Sequence, residues 1–319
     1  MRPLAVLALA AALALAAGAH AFAADLLRVA KSPNYLFAYT PVDIGIAKGM
    51  FAKRQIEIQE IGFEGASKME QGVVSGAVDV MLGSPMDMAA MAKGMPAVGI
   101  AVIAEPMTEF IIMVPYDSPV RSLDELKGKT MGIATVGSIT EWVALELARV
   151  KGWSKDDIHL VSIGSGAATA TAAMKTHLVD ASVSTTSTGV VLERVHIARR
   201  LAYVSDYARP FVAHLMSVTT ALANDKPDLV RRFVAGWFEA VSFMRANRDE
   251  TIGIARTVTG LSPEDEAIEY DTLMSEVTPD GRFDPGTVDR IGSSFVELGI
   301  LDHAPDMAKL YTSRFLPAP

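Results

Sequence analysis

From Leu26 onward the chain alternates short runs rich in β-branched residues with longer amphipathic segments, and it does so twice in the same order. This alternation restricts the chain to an α/β architecture in which parallel strands are joined by crossover helices. The first pass predicts strands at Leu26–Ala30, Ile56–Ile61, Val78–Leu82 and Val98–Ala104, with helices at Val42–Lys48, Ser67–Val74 and Pro85–Ala92. The second predicts strands at Thr130–Ala134, Ile158–Ile163, Val179–Val183 and Arg200–Val204, with helices near Ile139–Lys151, Ala167–Lys175 and Thr188–His196. Val78-Asp79 recurs as Val179-Asp180 and Ser84 recurs as Thr185, at one separation (179 − 78 = 185 − 84 = 101). The shared layout predicts two similar lobes rather than one large sheet. Length agrees, because 319 residues exceed what one core usually serves and suit two lobes of roughly 100–150 residues each.

Between the two passes, Phe110–Val114 is apolar and β-rich and reads as a first crossing strand; Ala213–Thr219, after the loop Asp206–Pro210, reads as the return. Lobe 1 is therefore expected to comprise residues 24–109 and 218–319, and lobe 2 residues 110–217, with hinge crossings near 110–115 and 213–219. After Pro227 the pattern becomes helix upon helix. Leu229, Phe233, Trp237 and Val241 recur at four-residue spacing beside Val230, Val234 and Phe238, one broad apolar stripe that must pack on something. Trp237 and Phe238 read as core in that stripe, not as a cofactor box. Further helices are predicted at Asp249–Val258, Pro263–Glu276, Pro285–Leu298 and Pro305–Phe315, from Pro or Asp near their starts.

The first residues read as an address rather than fold. Arg2 precedes the run Leu4–Ala17, made of Leu, Ala and Val alone, and Ala21-Phe22-Ala23 offers small residues where a signal peptidase cuts. Residues 1–23 are thus expected to be a cleaved export signal, since the run is shorter than the about 20 residues a membrane span needs. No cysteine follows the cut, so no lipid can be attached there, and the expected product is a soluble periplasmic protein. With 29 basic against 37 acidic side chains the net charge is −8, which leaves no positive excess for nucleic acid. The lack of cysteine removes thiol nucleophiles, thiolate metal sites and iron–sulfur clusters.

Enzyme signatures are equally sparse: there is no Gly-x-Ser-x-Gly elbow, no His-Glu-x-x-His and no Walker loop. Gly164-Ser165-Gly166 imitates the start of a dinucleotide fingerprint, but Thr169 stands where the third Gly belongs, so the segment reads as an anion-friendly turn. His159, His177, His196, His214 and His303 are dispersed, and only His214 lies near a predicted crossing. No catalytic residue, metal or cofactor is assigned.

Hydroxyl residues, in contrast, stand where predicted strands hand over to helices. Thr40-Pro41-Val42-Asp43 and Ser84-Pro85-Met86-Asp87 carry helix-start signals, and Ser67-Lys68-Met69-Glu70, Ser122-Leu123-Asp124-Glu125 and Ser138-Ile139-Thr140-Glu141 fit the capping box. A plain cap contributes about 1 kcal/mol of stability and nothing more, and Thr40 and Ser122 are read so. Ser84, Ser138, Ser165 and Thr185 differ, because each follows the C-terminal end of a predicted parallel strand, the edge of an open α/β sheet where ligands bind. Unpaired N–H groups and positive helix ends would converge there on an anionic group. The candidate ligand-binding set is Ser32, Asn34, Tyr35, Ser67, Gly83, Ser84, Gly137, Ser138, Ser165, Thr185, Thr186 and Tyr207. Candidate walls are Tyr35, Phe37, Tyr39, Trp142, Tyr207 and Phe211, and Lys31 is a candidate countercharge. One helix end contributes roughly 0.3–1 kcal/mol, whereas micromolar binding needs about −8 kcal/mol, so several donors and apolar walls must act together in one cleft.

Four segments carry a resemblance. Gly45-Ile46-Ala47-Lys48-Gly49-Met50-Phe51 followed by Ile56-Glu57-Ile58, then Val74 through Val80, then Ser118-Pro119 through Ser122-Leu123-Asp124-Glu125-Leu126-Lys127-Gly128-Lys129, and finally the 224–247 helix, resemble periplasmic solute-binding proteins of ABC importers. The branch is the one holding nitrate, taurine, alkanesulfonate and thiamine-precursor binders. What the resemblance implies is a type II periplasmic-binding-protein fold: two α/β sheets joined by two crossover segments, with C-terminal helices packed on the first lobe. It further implies a monomer that is not an enzyme, closes on a small organic anion such as a sulfonate or carboxylate, and delivers it to a membrane permease. A pyrimidine or thiamine-precursor binder, and a periplasmic sensor partner without a transport role, are the alternatives. A pyrimidine synthase of the same branch uses a cysteine-rich iron motif that this chain does not have. Two positions depart from the branch's pattern: His177 stands where Gly commonly precedes Val-Asp-Ala, and Ser184-Thr185-Thr186 replaces a turn that commonly contains Pro.

Overall fold

A computed structural model describes residues 24–208 and 211–318; the expected export signal, residues 1–23, lies outside them, as do two residues of the 206–210 loop. The first pass of the alternation forms strands β1 (Asp25–Lys31), β2 (Ile56–Gly62), β3 (Val80–Gly83) and β4 (Ala97–Ala104), with helices α1 (Thr40–Ala47), α2 (Ala66–Val74) and α3 (Asp87–Ala92) between them. The second forms β5 (Phe110–Pro115), β6 (Thr130–Ile133), β7 (His159–Ser162), β8 (Ala181–Thr185) and β9 (Ala198–Tyr203), with α4 (Ile139–Val150), α5 (Ala167–Lys175) and α6 (Thr186–Arg194). The chain ends with β10 (His214–Thr219) and helices α7 (Thr220–Asp225), α8 (Pro227–Ala246), α9 (Arg248–Thr259), α10 (Pro263–Leu273) and α11 (Pro285–Glu297).

Two five-stranded sheets result, ordered β2-β1-β3-β10-β4 and β7-β6-β8-β5-β9. Position by position they share one plan. The three strands on one side are parallel, and β10 or β5 enters antiparallel between the last two. The apolar runs read as crossings are thus inner strands, with every residue of β5 buried, and the chain passes between the sheets just before each, through residues 105–109 and 204–213. The recurring Asp explains itself at this level. The Asp79 carboxylate accepts the Arg28 backbone N–H at 2.9 Å where β3 begins, and the Asp180 carboxylate accepts the Thr130 N–H at 2.9 Å where β8 begins. Three residues before each, Gly76 and His177 both adopt positive φ (74° and 49°), the left-handed conformation that Gly accepts without steric cost and His does not.

The stripe on α8 buries Leu229, Phe233, Trp237 and Val241 against α1 and β2, so this helix packs on the first lobe. Each such apolar side chain contributes about 1.5–3 kcal/mol on leaving water. The later helices also reach the second lobe: α10 packs on α6, and Trp142 on α4 donates its indole N–H to Ser294 on α11 at 3.1 Å. The helix expected at Pro305–Phe315 does not form; only a 3-10 turn at Met307–Lys309 does, followed by a bridge from Tyr311 to Gly99 at the edge of the first sheet. Met307, Leu310, Tyr311 and Phe315 recur at helical spacing after Pro305, but the backbone pairs with β4 instead, the Gly99 N–H donating to the Leu310 carbonyl at 2.9 Å and the Thr312 N–H to the Gly99 carbonyl at 2.8 Å.

Candidate functional site

The C-terminal ends of the parallel strands in both sheets face one cleft, and the loops and helix starts that follow them enclose a cavity of about 70 Å3. One water occupies about 10–15 Å3 of such space, so the cavity suits a compact molecule of a few heavy atoms. Gly65 and Ala66 start α2, Ser138 to Thr140 start α4, Gly164 to Gly166 precede α5, and Thr185 and Thr188 start α6; all line the cavity, together with Gly83 and Ser84 ahead of α3. Helix starts from both lobes therefore meet at one enclosed space, and the first turn of each helix carries N–H groups without an intrahelical partner. Leu36, Met69, Phe110, Ile139, Ile163 and Val183 supply the apolar wall.

Local chemistry holds these starts in place. Ser138 caps α4 by accepting the Glu141 N–H; its hydroxyl lies 2.6 Å from the Thr135 carbonyl and 2.7 Å from Thr140 Oγ1, and Glu141 reaches back to the Gly137 N–H at 2.6 Å. Thr185 caps α6 in the same manner. Gly164 and Gly166 have φ of 80° and 96°, the positive-φ backbone that favours glycine, and Gly166 lies beside the Tyr35 ring. Opposite, the Asp87 carboxylate accepts the Ser84 N–H at 3.0 Å, while its other oxygen has no partner. Complete burial, reinforced by Glu70, pushes the Asp87 carboxyl up to about 8. A Cβ at Gly83 would overlap that carboxylate, so only Gly fits there.

The lobes touch across the cleft. Ser67 Oγ donates to the Val136 carbonyl at 2.8 Å, and the Tyr35 hydroxyl is hydrogen-bonded to the Thr188 side chain. Burial raises the Tyr35 phenol to about 12, with Thr188 opposing the shift. At the floor, His214 lies edge-on to Tyr39 with ring centroids 5.0 Å apart; its Nε2 is hydrogen-bonded to Glu109 and its Nδ1 is 2.9 Å from the Tyr39 hydroxyl.

Of the candidate set, Ser32, Tyr35, Gly83, Ser84, Ser138, Ser165 and Thr185 line the cavity. Asn34, Ser67, Gly137, Thr186 and Tyr207 do not: Asn34 lies against Gly62, Ser67 ties the rim, Gly137 holds Glu141, Thr186 turns to Glu269 on α10, and Tyr207 is half-buried with its hydroxyl enclosed. Among the wall candidates Tyr35 and Tyr39 line the cavity, whereas Phe37, Trp142 and Phe211 are core, the last two stacked with centroids 4.1 Å apart. Lys31 is not a cavity residue either; it is buried between Asp43 at 3.0 Å and Glu60 at 2.5 Å. Burial and the neighbouring Glu60 raise the Asp43 carboxyl to about 6, against the opposing pull of Lys31. The cap readings also shift. Thr40 lies inside α1 with its hydroxyl on the Phe37 carbonyl, Gly65 rather than Ser67 caps α2, and Met86 rather than Ser84 caps α3. Ser122 precedes only a 3-10 turn and donates to Glu125. The apolar wall and Thr188 went unseen, because in sequence they are indistinguishable from core and helix-surface residues.

Among the described residues no Lys, Arg, Asp or Glu lines the cavity, and His214 is the one described lining residue that can carry positive charge. Among the described residues no helix is long and apolar enough to cross a membrane.

Comparison with known proteins follows the same fold. A protein of Bordetella bronchiseptica RB50 superposes with a TM-score of 0.79 at 22% identity, covering 91% of this chain and 95% of its own. The alkanesulfonate-binding protein SsuA from Xanthomonas axonopodis pv. citri, bound to MOPS, gives 0.77 at 18% identity over 90% of this chain and 98% of its own. The desulfurization enzyme DszB, a Cys-to-Ser mutant in complex with biphenyl-2-sulfinic acid, gives 0.67 at 15% identity over 92% and 97%. At such identities the likeness shows the two-lobed periplasmic-binding-protein fold. A search of curated proteins finds no match. The family model described as NMT1/THI5 like matches residues 37–251, two thirds of the sequence, and the chain belongs to that family.

Proposed function

We propose that this protein is the periplasmic substrate-binding component of an ABC importer, closing on a small organic anion and handing it to a membrane permease. The observation that carries the reading is the convergence of helix starts from both lobes, at Gly65, Ser138, Gly166 and Thr185, on one enclosed cavity. Oriented N–H groups favour an acid group without a fixed countercharge, and in an enclosed site their attraction is screened little by water. The apolar wall then takes a short hydrocarbon portion, at about 25 cal/mol per Å2 buried. Among the described residues no carboxylate lines the cavity to receive an ammonium, so amino acids and aminosulfonates are disfavoured relative to the plain acids.

Binding to both lobes stabilises the closed form relative to the open one, which is the state a permease would read. The absence of cysteine sets the chain apart from the enzyme of the same fold that was studied as a Cys-to-Ser mutant. Calorimetry against methanesulfonate, ethanesulfonate, acetate, propionate, nitrate and a pyrimidine tests the reading. Saturable binding of the organic acids is expected; binding of only the pyrimidine or of neutral compounds would refute it.

A further inference from the structure

The two segments that join the lobes, residues 105–109 and 204–213, deliver Glu109 and His214 side by side at the cavity floor. His214 Nε2 is bonded to Glu109, and Nδ1 continues to the Tyr39 hydroxyl, which lies 3.1 Å from the Gly83 carbonyl. Glu276, just beyond α10, accepts the backbone N–H groups of Thr108 and Glu109, while its own carbonyl accepts the Glu105 N–H at 2.9 Å. Glu269 on α10 accepts the hydroxyls of Thr186 and Ser187, in the first turn of the helix whose cap Thr185 lines the cavity. Glu109 thus pairs with the imidazole, and Glu269 and Glu276 lie close enough to Glu109 to feel its charge.

Among the described residues, the groups facing this cluster from the surrounding elements add no cation to it. From α10 comes Glu266, bonded to Thr259 and near Arg256 of α9; from α3 comes Asp87, toward Tyr39; from α6 only hydroxyls come, since Arg194 pairs with Asp265 at 2.5 Å. Arg245 of α8 goes to the Val277 carbonyl, and Arg248 of α9 pairs with Asp271 at 2.7 Å. Burial and mutual repulsion raise Glu269 to about 7 and Glu276 to about 9, so these two carboxyls hold protons at neutral pH that they release on mild alkalinisation.

Resting on the anion reading above, we propose that the Glu109–His214–Glu269–Glu276 cluster couples anion capture to proton uptake, so that guest and proton enter the closed protein together. An anion placed against His214 and Thr185 adds negative charge beside carboxyls that already repel one another, and it draws in a proton. By linkage the affinity must then rise as pH falls, by up to about tenfold per pH unit when one full proton is taken up.

The test is calorimetry of the mature protein with ethanesulfonate, which does not itself titrate, at pH 7.5 in buffers of different ionisation enthalpy. Uptake of about 0.3–1 proton per anion is expected. Affinity is expected to fall several-fold between pH 6.5 and 8.5. Glu269→Gln and, separately, Glu276→Gln should diminish the uptake and flatten the pH profile. Ethanesulfonate binding with no proton exchanged would overturn the coupling and leave the anion reading standing. Failure of every acid to bind would overturn both.

Discussion

The Ser67 hydroxyl on α2 lies 2.8 Å from the Val136 carbonyl, a contact made by a side chain of the first lobe on the backbone of the second. It exists only while the cleft is shut, so it stabilises the closed form by about 1 kcal/mol and contributes nothing to the open one. Ser67→Ala is therefore expected to weaken ligand binding about five-fold, chiefly through faster release, with the unliganded melting temperature unchanged. Stopped-flow release kinetics check this; an unaltered off-rate would count against a role in closure.

Ser138 and Thr185 serve as helix caps and as cavity lining at once, and the two roles separate by mutation. Replacing either with Ala should cost about 1 kcal/mol of stability as a lost cap. A further loss of tenfold or more in affinity is expected for the bound acid. Ser122→Ala, at a 3-10 turn remote from the cavity, is the control and should leave affinity intact. Paired denaturation and calorimetry measure both quantities, and equal effects for all three variants would reduce Ser138 and Thr185 to plain caps.

Asp87 reports on pH. Its folded value near 8 lies far above the usual carboxylate range, because burial disfavours the charge. A raised folded value means that the stabilisation is complete below the unfolded value and is lost as pH rises through the folded one. Glu269, near 7, acts in the same direction. Stability is thus expected to decline from about pH 5 to pH 8, and Asp87→Asn should remove up to about 1.4 kcal/mol per pH unit from that slope. Urea unfolding across the range decides it; a slope unaffected by Asp87→Asn would contradict the assignment.

The cavity wall makes a claim about selectivity. Ethanesulfonate and its 2-amino derivative are nearly the same size, yet only the second brings an ammonium, and among the described residues no cavity carboxylate meets it. A preference of at least about tenfold for the unsubstituted acid is expected, since an ammonium buried without a partner is costly. Competition calorimetry measures the ratio, and equal affinities would show that an acceptor for the amine is present.

Much of this was legible in sequence for physical reasons. Alternation of β-rich and amphipathic runs exposes strand and helix order because each element buries one face with its own period. The 101-residue recurrence exposed the duplication because Asp79 and Asp180 close the same strand junction in both sheets. Ser138 and Thr185 were found because helix starts carry a local chemical mark. What escaped depends on contacts between distant segments. Ser67 looks like a cap and is a rim contact, Trp142 looks like a ligand wall and is core against Phe211, and Lys31 looks like a free charge and is enclosed by Asp43 and Glu60. The pairing of Glu109 with His214, over a hundred positions apart, leaves no local trace at all.

The most direct measurement is a crystal structure of the mature protein grown with ethanesulfonate. The expected result is a closed cleft with the sulfonate oxygens within hydrogen-bonding distance of the α4 and α6 starts at Ser138 and Thr185, and the ethyl group against Leu36 and Met69. An open cleft with the cavity divided between separated lobes, or the sulfonate bound outside it, would contradict the account.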